Sequence, residues 1–122
     1  MRNGYLSIGL NHPIIEIWDF SKNKSVKELI GHTNSVWVLV NLKDNDTIAS
    51  GSQDCSIKIW NHTNGQLLKT LQGHLGRVNG LILLNDDHLI SCSRDKTIKI
   101  WNITSKEIIR SLEGHIMVQI MF

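Results

Sequence analysis

A single proline, two cysteines and no long apolar run distinguish this 122-residue sequence by what it withholds. The missing run excludes a helix crossing a bilayer. Cys55 and Cys92 have neither a nearby partner nor zinc-site spacing, so they read as reduced thiols of an intracellular protein, cytoplasmic or nuclear. Thirteen Lys and Arg against eleven Asp and Glu leave a formal charge of +2, which predicts neither a nucleic-acid stripe nor a membrane-binding surface. The opening "MRNGYLSIGLNHP" lacks an apolar core and a small-residue cleavage site, so no signal peptide is expected. Sequons at Asn23, Asn45, Asn61 and Asn102 then read as turn-rich loops.

Several chemistries are absent as patterns. No serine sits in a G-x-S-x-G elbow before a helix, and no glycine cluster forms a phosphate-binding fingerprint. "LKDNDT" (42–47) lacks the glycine and terminal glutamate of a calcium loop and reads as a solvated hairpin turn. His12, His62 and His88 have no metal-like spacing, so no metal and no cofactor is expected. Nothing suggests a long amphipathic helix.

What is present is repetition. "SQDCSIKIWN" (52–61) and "SRDKTIKIWN" (93–102) are nearly the same decapeptide. Trp18, Trp60 and Trp101 are 42 and then 41 residues apart, and so are Gly31–His32, Gly73–His74 and Gly114–His115. Two independent markers sharing one period indicate a structural unit made several times. Within the period, "SIKIW" and "TIKIW" alternate polar and apolar residues. "VWVLV" (36–40), "TIAS" (47–50), "GLILL" (80–84) and "HLIS" (88–91) are short and aliphatic. Turn clusters separate them at Lys43–Asp46, Ser52–Asp54, His62–Gln66, Asn85–Asp87 and Ser93–Lys96. Each period is therefore read as four short antiparallel strands. A sheet that small cannot bury its own faces, and stacking sheets about an axis solves the problem.

These residues resemble the WD40 repeats of β-propellers: the Gly-His pairs, the cores "IASGSQDCSIKIWN" and "LISCSRDKTIKIWN", and the period. The Trp-Asp ending occurs at Trp18–Asp19, and an Asn variant at Trp60–Asn61 and Trp101–Asn102. The resemblance implies an all-β fold of about three blades, an incomplete propeller or part of a larger ring. Residues 1–30 would hold three strands of a partial blade, 31–72 and 73–113 two full repeats, and 114–122 the start of a further one. It also implies hydrogen-bonded sets linking Trp60, Ser50, His32 and Asp54, and likewise Trp101, Ser91, His74 and Asp95. A Ser-His-Asp hydrolase is the competing reading. A brace is favoured, because the set recurs at the repeat period beside a tryptophan each time, and a catalyst is needed once.

The first repeat departs from the pattern. Aligned on Trp18, it carries His12 at the turn-Asp position and Ile8 at the serine position, so its brace cannot form in the same way. The resemblance implies a protein-binding scaffold without catalysis, or else the substrate-recognition part of a ubiquitin-ligase or signalling complex. Rim positions carried over from the family are Ser35, Trp37 and Gln53, then Arg77, Asn79 and Arg94, with Asn11 in the first repeat. Trp37 beside two arginines suits an acidic or phosphorylated peptide. Two copies closing a ring, or membership of a longer chain, would account for the incomplete blade count.

Overall fold

The computed structural model describes residues 5–8 (by backbone), 11–44 and 46–113. The expected start of a further repeat at 114–122 lies outside the described residues. So do the side chain of Ile8 and the sequon at Asn45. Eleven strands occur among the described residues, in three antiparallel sheets. The first holds β1 (Tyr5–Ile8), β2 (Ile15–Asp19) and β3 (Lys24–Leu29). The second runs in chain order through β4 (Val36–Asn41), β5 (Thr47–Ser52), β6 (Ile57–Asn61) and β7 (Gln66–Leu71). The third repeats it with β8 (Val78–Leu83), β9 (His88–Ser93), β10 (Thr97–Asn102) and β11 (Ile108–Glu113). Ser52 and Ser93, read from sequence as opening turns, instead close β5 and β9, and Gln66 opens β7. Pairing of Val36 with Ser52 and of Val78 with Ser93 carries the ladders that one residue further.

Alternation in β2 and β6 converts directly into two packing faces. Ile15, Ile17 and Leu29 of the first sheet pack against Val36, Ile48 and Trp60 of the second. The opposite side of that second sheet offers Ala49, Ile57, Ile59 and Leu71, which pack on Val78, Leu81, Leu89 and Trp101 of the third. The two larger clusters therefore lie between sheets, and only Cys92, Ile98 and Ile90 form a small one within a single sheet, the third. Approach is closest at Gly51, where an added Cβ would sit 2.6 Å from a methyl of Val78.

Two irregularities recur. On the outermost strand, one extra residue opposes the step before each tryptophan: Val26, Leu68 and Ile109 have no ladder partner. On the innermost strand, Trp37 and Asn79 are skipped in the same way. Such bulges bend the strand and re-aim side chains. The β2–β3, β6–β7 and β10–β11 turns all need a left-handed residue, supplied by Asn23 (φ 53°), Gly65 (φ 81°) and Lys106 (φ 66°). Only glycine adopts that conformation without a Cβ penalty. Gly65→Ala is thus expected to lower stability by about 1 kcal/mol, and Lys106→Gly to be neutral or stabilising, in paired denaturant titrations. Equal losses for both variants would contradict the turn assignment.

Candidate functional site

The third strand of each complete sheet delivers its tryptophan into the interior, where an indole N–H must find an acceptor. Trp60 Nε1 donates to Ser50 Oγ at 2.8 Å, and Ser50 Oγ lies 2.6 Å from His32 Nε2. His32 Nδ1 lies 2.8 Å from Asp54 Oδ2. The third sheet repeats the chain: Trp101 to Ser91 at 2.8 Å, Ser91 to His74 at 2.6 Å and His74 to Asp95 at 2.9 Å. One proton arrangement satisfies every member. The indole donates to the hydroxyl, the hydroxyl to Nε2 of a neutral imidazole, and Nδ1–H to the carboxylate.

Local sequence explains the placement. The Gly-His pair lies in the loop between sheets, where the tryptophan ring covers the glycine. A Cβ on Gly31 would meet Trp60 Cη2 at 2.9 Å, and one on Gly73 would meet Trp101 Cη2 at 3.1 Å. Asp54 sits in the β5–β6 turn, accepting from the backbone N–H of Thr33 and of Ser56 at 3.0 and 2.9 Å. Asp95 does the same with Leu75 and Thr97, both at 2.9 Å.

Four further hydroxyls join these sets, and the sequence reading missed them. Ser56 and Thr97 each donate to their turn aspartate at 2.6 Å. Ser52 Oγ donates to the carbonyl of Ser35 at 2.9 Å, and Ser93 Oγ to that of Gly76 at 3.0 Å. Their signal was available, since each pair is separated by the repeat period.

Burial decides the charge states. It pushes the His32 and His74 imidazoles below the usual histidine range, against the partial compensation of Asp54 and Asp95. Burial raises the two carboxyls, but hydrogen bonds from Ser56 and His32, and from Thr97, Leu75 and His74, outweigh it and hold both below the usual range. Neutral imidazole beside carboxylate is the arrangement that the hydrogen bonds require.

The first sheet has no such set. Trp18 is half-buried, and its indole donates to Glu16 Oε2 at 2.8 Å. His12 bridges to the second sheet by backbone, with Val36 N donating to His12 O at 2.9 Å. His62 is buried, while His88 lies 2.8 Å from the side-chain oxygen of Asn85. The described residues hold no cluster of three or more metal-type ligands.

The rim candidates gather at one end of the sheets. The Arg77 guanidinium lies 3.9 Å over the ring of Trp37. Trp37 Nε1 donates to Gln53 Oε1 at 3.0 Å, and Arg77 Nε donates to Asn79 Oδ1 at 2.6 Å. Backbone bonds join the others: Gln53 N to Ser35 O, Arg94 N to Arg77 O and Asn11 N to Val36 O, each 2.8 Å. Trp37 stays 37% exposed while its neighbour Val36 is fully buried, because the bulge turns it to the rim.

The model of the WD domain, G-beta repeat matches residues 23–61 and 65–102. The chain is 36% identical over 66 residues to GID complex subunit 7 of Schizosaccharomyces pombe, an alignment covering 52% of this chain and 13% of that protein. It is 39% identical over 60 residues to nuclear distribution protein nudF of Emericella nidulans, covering 49% and 14%. The chain therefore matches only a small part of each relative's length. The crystal structure of the WD40 beta propeller domain of Doa1 superposes with a TM-score of 0.80 at 28% identity, covering 94% of this chain and 38% of that one.

Two outcomes are expected from the hydrogen-bonded sets. Trp60→Ala or Trp101→Ala should destabilise by about 3–5 kcal/mol in denaturant unfolding, the range for a buried aromatic removed from a core. A second outcome concerns acid. Imidazoles depressed below 6.5 leave the unfolded chain binding more protons, so stability falls as pH drops below about 6.5. The depressed carboxyls add a further loss as pH falls below 3.8. Melting temperatures across this window check it, and a midpoint that rises on acidification would overturn the neutral-imidazole assignment.

Proposed function

The chain belongs to the WD domain, G-beta repeat family, and from that premise we propose that it is a non-catalytic platform that binds proteins through the rim around Trp37. Its sheets are blades of a WD40 propeller, and domains of this family are typically non-catalytic. The relatives include a subunit of a multiprotein complex by name, which supports protein partners.

One observation carries the reading: the Trp37–Arg77 stack. Arg77 is held from two sides, by the aromatic face and by Asn79, so its two terminal nitrogens are oriented before any partner arrives. Neither Arg77 nor Arg94 has an acidic partner among the described residues. An exposed tryptophan beside two arginines suits a peptide bearing a carboxylate or phosphate, with aromatic contact supplying affinity and the guanidinium supplying direction.

The accounting of the buried serines argues against hydrolysis. Ser50 and Ser91 are fully buried, and each oxygen already accepts an indole N–H. A nucleophile needs room for a carbonyl carbon and donors for the developing oxyanion. The alternative of a substrate-recognition part in a ubiquitin-ligase or signalling complex would use the same rim. An intracellular setting, cytoplasmic or nuclear, is the natural one for either role.

The test is capture of acidic and phosphorylated peptides. Trp37→Ala and Arg77→Ala should each weaken binding by about tenfold or more while leaving the melting temperature near that of the parent. Undiminished binding by both variants would reject the rim as the site.

A further inference from the structure

At the end of the sheets opposite the rim, the second and third sheets part around a cavity of about 220 Å3. Its floor is aliphatic, from Leu42 beyond β4, Ile59 of β6 and Ile103 beyond β10, and Leu68 of β7 forms one lip. Leu42, Ile59 and Ile103 belong to the core between these two sheets, so the cavity opens into that core. Leu68 is the unpaired bulge residue of β7 and stays 43% exposed.

The charged groups around this floor are not equivalent. Lys43 and Asp86 pair at 2.6 Å between the β4–β5 and β8–β9 turns, and both side chains are exposed, so the bridge is weak and easily exchanged. Asp44 has Oδ1 bound by Thr47 Oγ1 at 2.6 Å and by the Thr47 backbone N–H at 2.9 Å. Its Oδ2 has no partner among the described residues. Lys69 differs from both. It reaches from β7 to the third sheet, where its ammonium donates to the carbonyls of Ile103 at 2.8 Å and Thr104 at 3.5 Å. The side chain is half-buried, yet no carboxylate pairs with it among the described residues. A half-buried cation beside an apolar floor is short of one anion.

The arrangement is particular to this gap. One period earlier, Lys27 lays its stem on Gly65, its Cδ 3.0 Å from where a Cβ would sit. Buried His62 stands there in the place of Ile103, and Val26 in that of Leu68, so an imidazole interrupts the aliphatic surface.

We infer that this cavity captures the carboxyl terminus of a partner protein that ends in an aliphatic residue. The last side chain enters the apolar floor, the terminal carboxylate pairs with Lys69, and Asp44 Oδ2 is available to the last peptide N–H. Two observations choose a chain end. The volume lies below the roughly 300–1,000 Å3 of small-molecule sites and suits a single side chain. The cation stands in the cavity wall and not out on the lip, so the anion must sit within a bond or two of that side chain. A C-terminal residue carries both groups on one carbon. The inference is independent of the rim reading, because Trp37 and Arg77 lie at the other end of the sheets.

The probe is a short glycine–serine peptide ending in leucine with a free carboxyl group, titrated into the isotope-labelled full chain and followed by NMR. The amides of Leu42, Leu68 and Ile103 should shift saturably with a Kd below about 1 mM, while the Trp37 indole stays in place. Amidating the carboxyl group, or replacing the leucine by serine, should weaken binding about tenfold or more. Lys69→Gln, which keeps a donor for the Ile103 carbonyl, should bring the acid peptide down to the level of the amide. Leu68→Asp should weaken both peptides. A cooperative melt verifies that each variant is folded, and the acid-against-amide comparison on the parent decides the matter if one is not. Equal binding of acid and amide would overturn the inference, as would shifts confined to the rim or no saturation by about 1 mM. Free leucine binding as tightly as the peptide would overturn the choice of a chain end and mark an amino-acid site instead.

Discussion

An indole N–H buried beside a serine hydroxyl is the constraint on which the architecture turns. Trp60 and Trp101 supply the largest fully buried side chains, and each brings one polar atom that water cannot reach. Leaving that atom unpaired costs about 1–3 kcal/mol. Ser50 and Ser91 satisfy it only if their own hydrogens find an acceptor, which draws in His32 and His74 from the loops between sheets. The imidazoles in turn require Asp54 and Asp95 from the turns. A core residue thereby dictates the position of two surface segments. Removing any one member leaves the others with unmet hydrogen bonds in a low-dielectric interior.

The matched repeats and the sheets are out of phase, and this has mechanical meaning. Residues 23–61 run from β3 through β6, and residues 65–102 from β7 through β10. Each matched repeat starts with the outermost strand of one sheet and continues into the next. His32 and His74 lie in the crossings, so the hydrogen-bonded sets anchor the connection between sheets as well as the sheet that holds the tryptophan. The first sheet lacks the serine, and its tryptophan turns to Glu16 on its own strand. That bond satisfies the indole but ties down no loop.

Much of this was legible because the relevant signals are periodic. The tryptophans, the Gly-His pairs and the alternating "IKIW" segments each recur at 41 or 42 residues, so the strands and their repetition could be read together, while the members of each set came from the resemblance to WD40 repeats. Ser52, Ser56, Ser93 and Thr97 recur equally well but were passed over, Ser52 and Ser93 as ordinary turn residues, where hydroxyls are common for other reasons, and Ser56 and Thr97 as polar positions of alternating strands. The family's rim positions put Arg77 and Arg94 beside Trp37, but the stacking of Arg77 on the ring and its bond to Asn79 were beyond reach. The two residues lie 40 positions apart, Trp37 in β4 and Arg77 just ahead of β8, and the bulges that aim Trp37 and Asn79 leave no mark in an alternation pattern.

The sequence alone determined which residues alternate, where turns interrupt them and at what period the tryptophans and Gly-His pairs recur, because these depend on local spacing and on needs that every copy of the repeat shares. Tertiary structure decided the rest. It chose which face of each sheet is covered, how close Gly51 comes to Val78, and which arginine lies on Trp37. Those outcomes depend on the distance and rotation between sheets, which arise from side chains packing across a gap between segments that are distant in the chain.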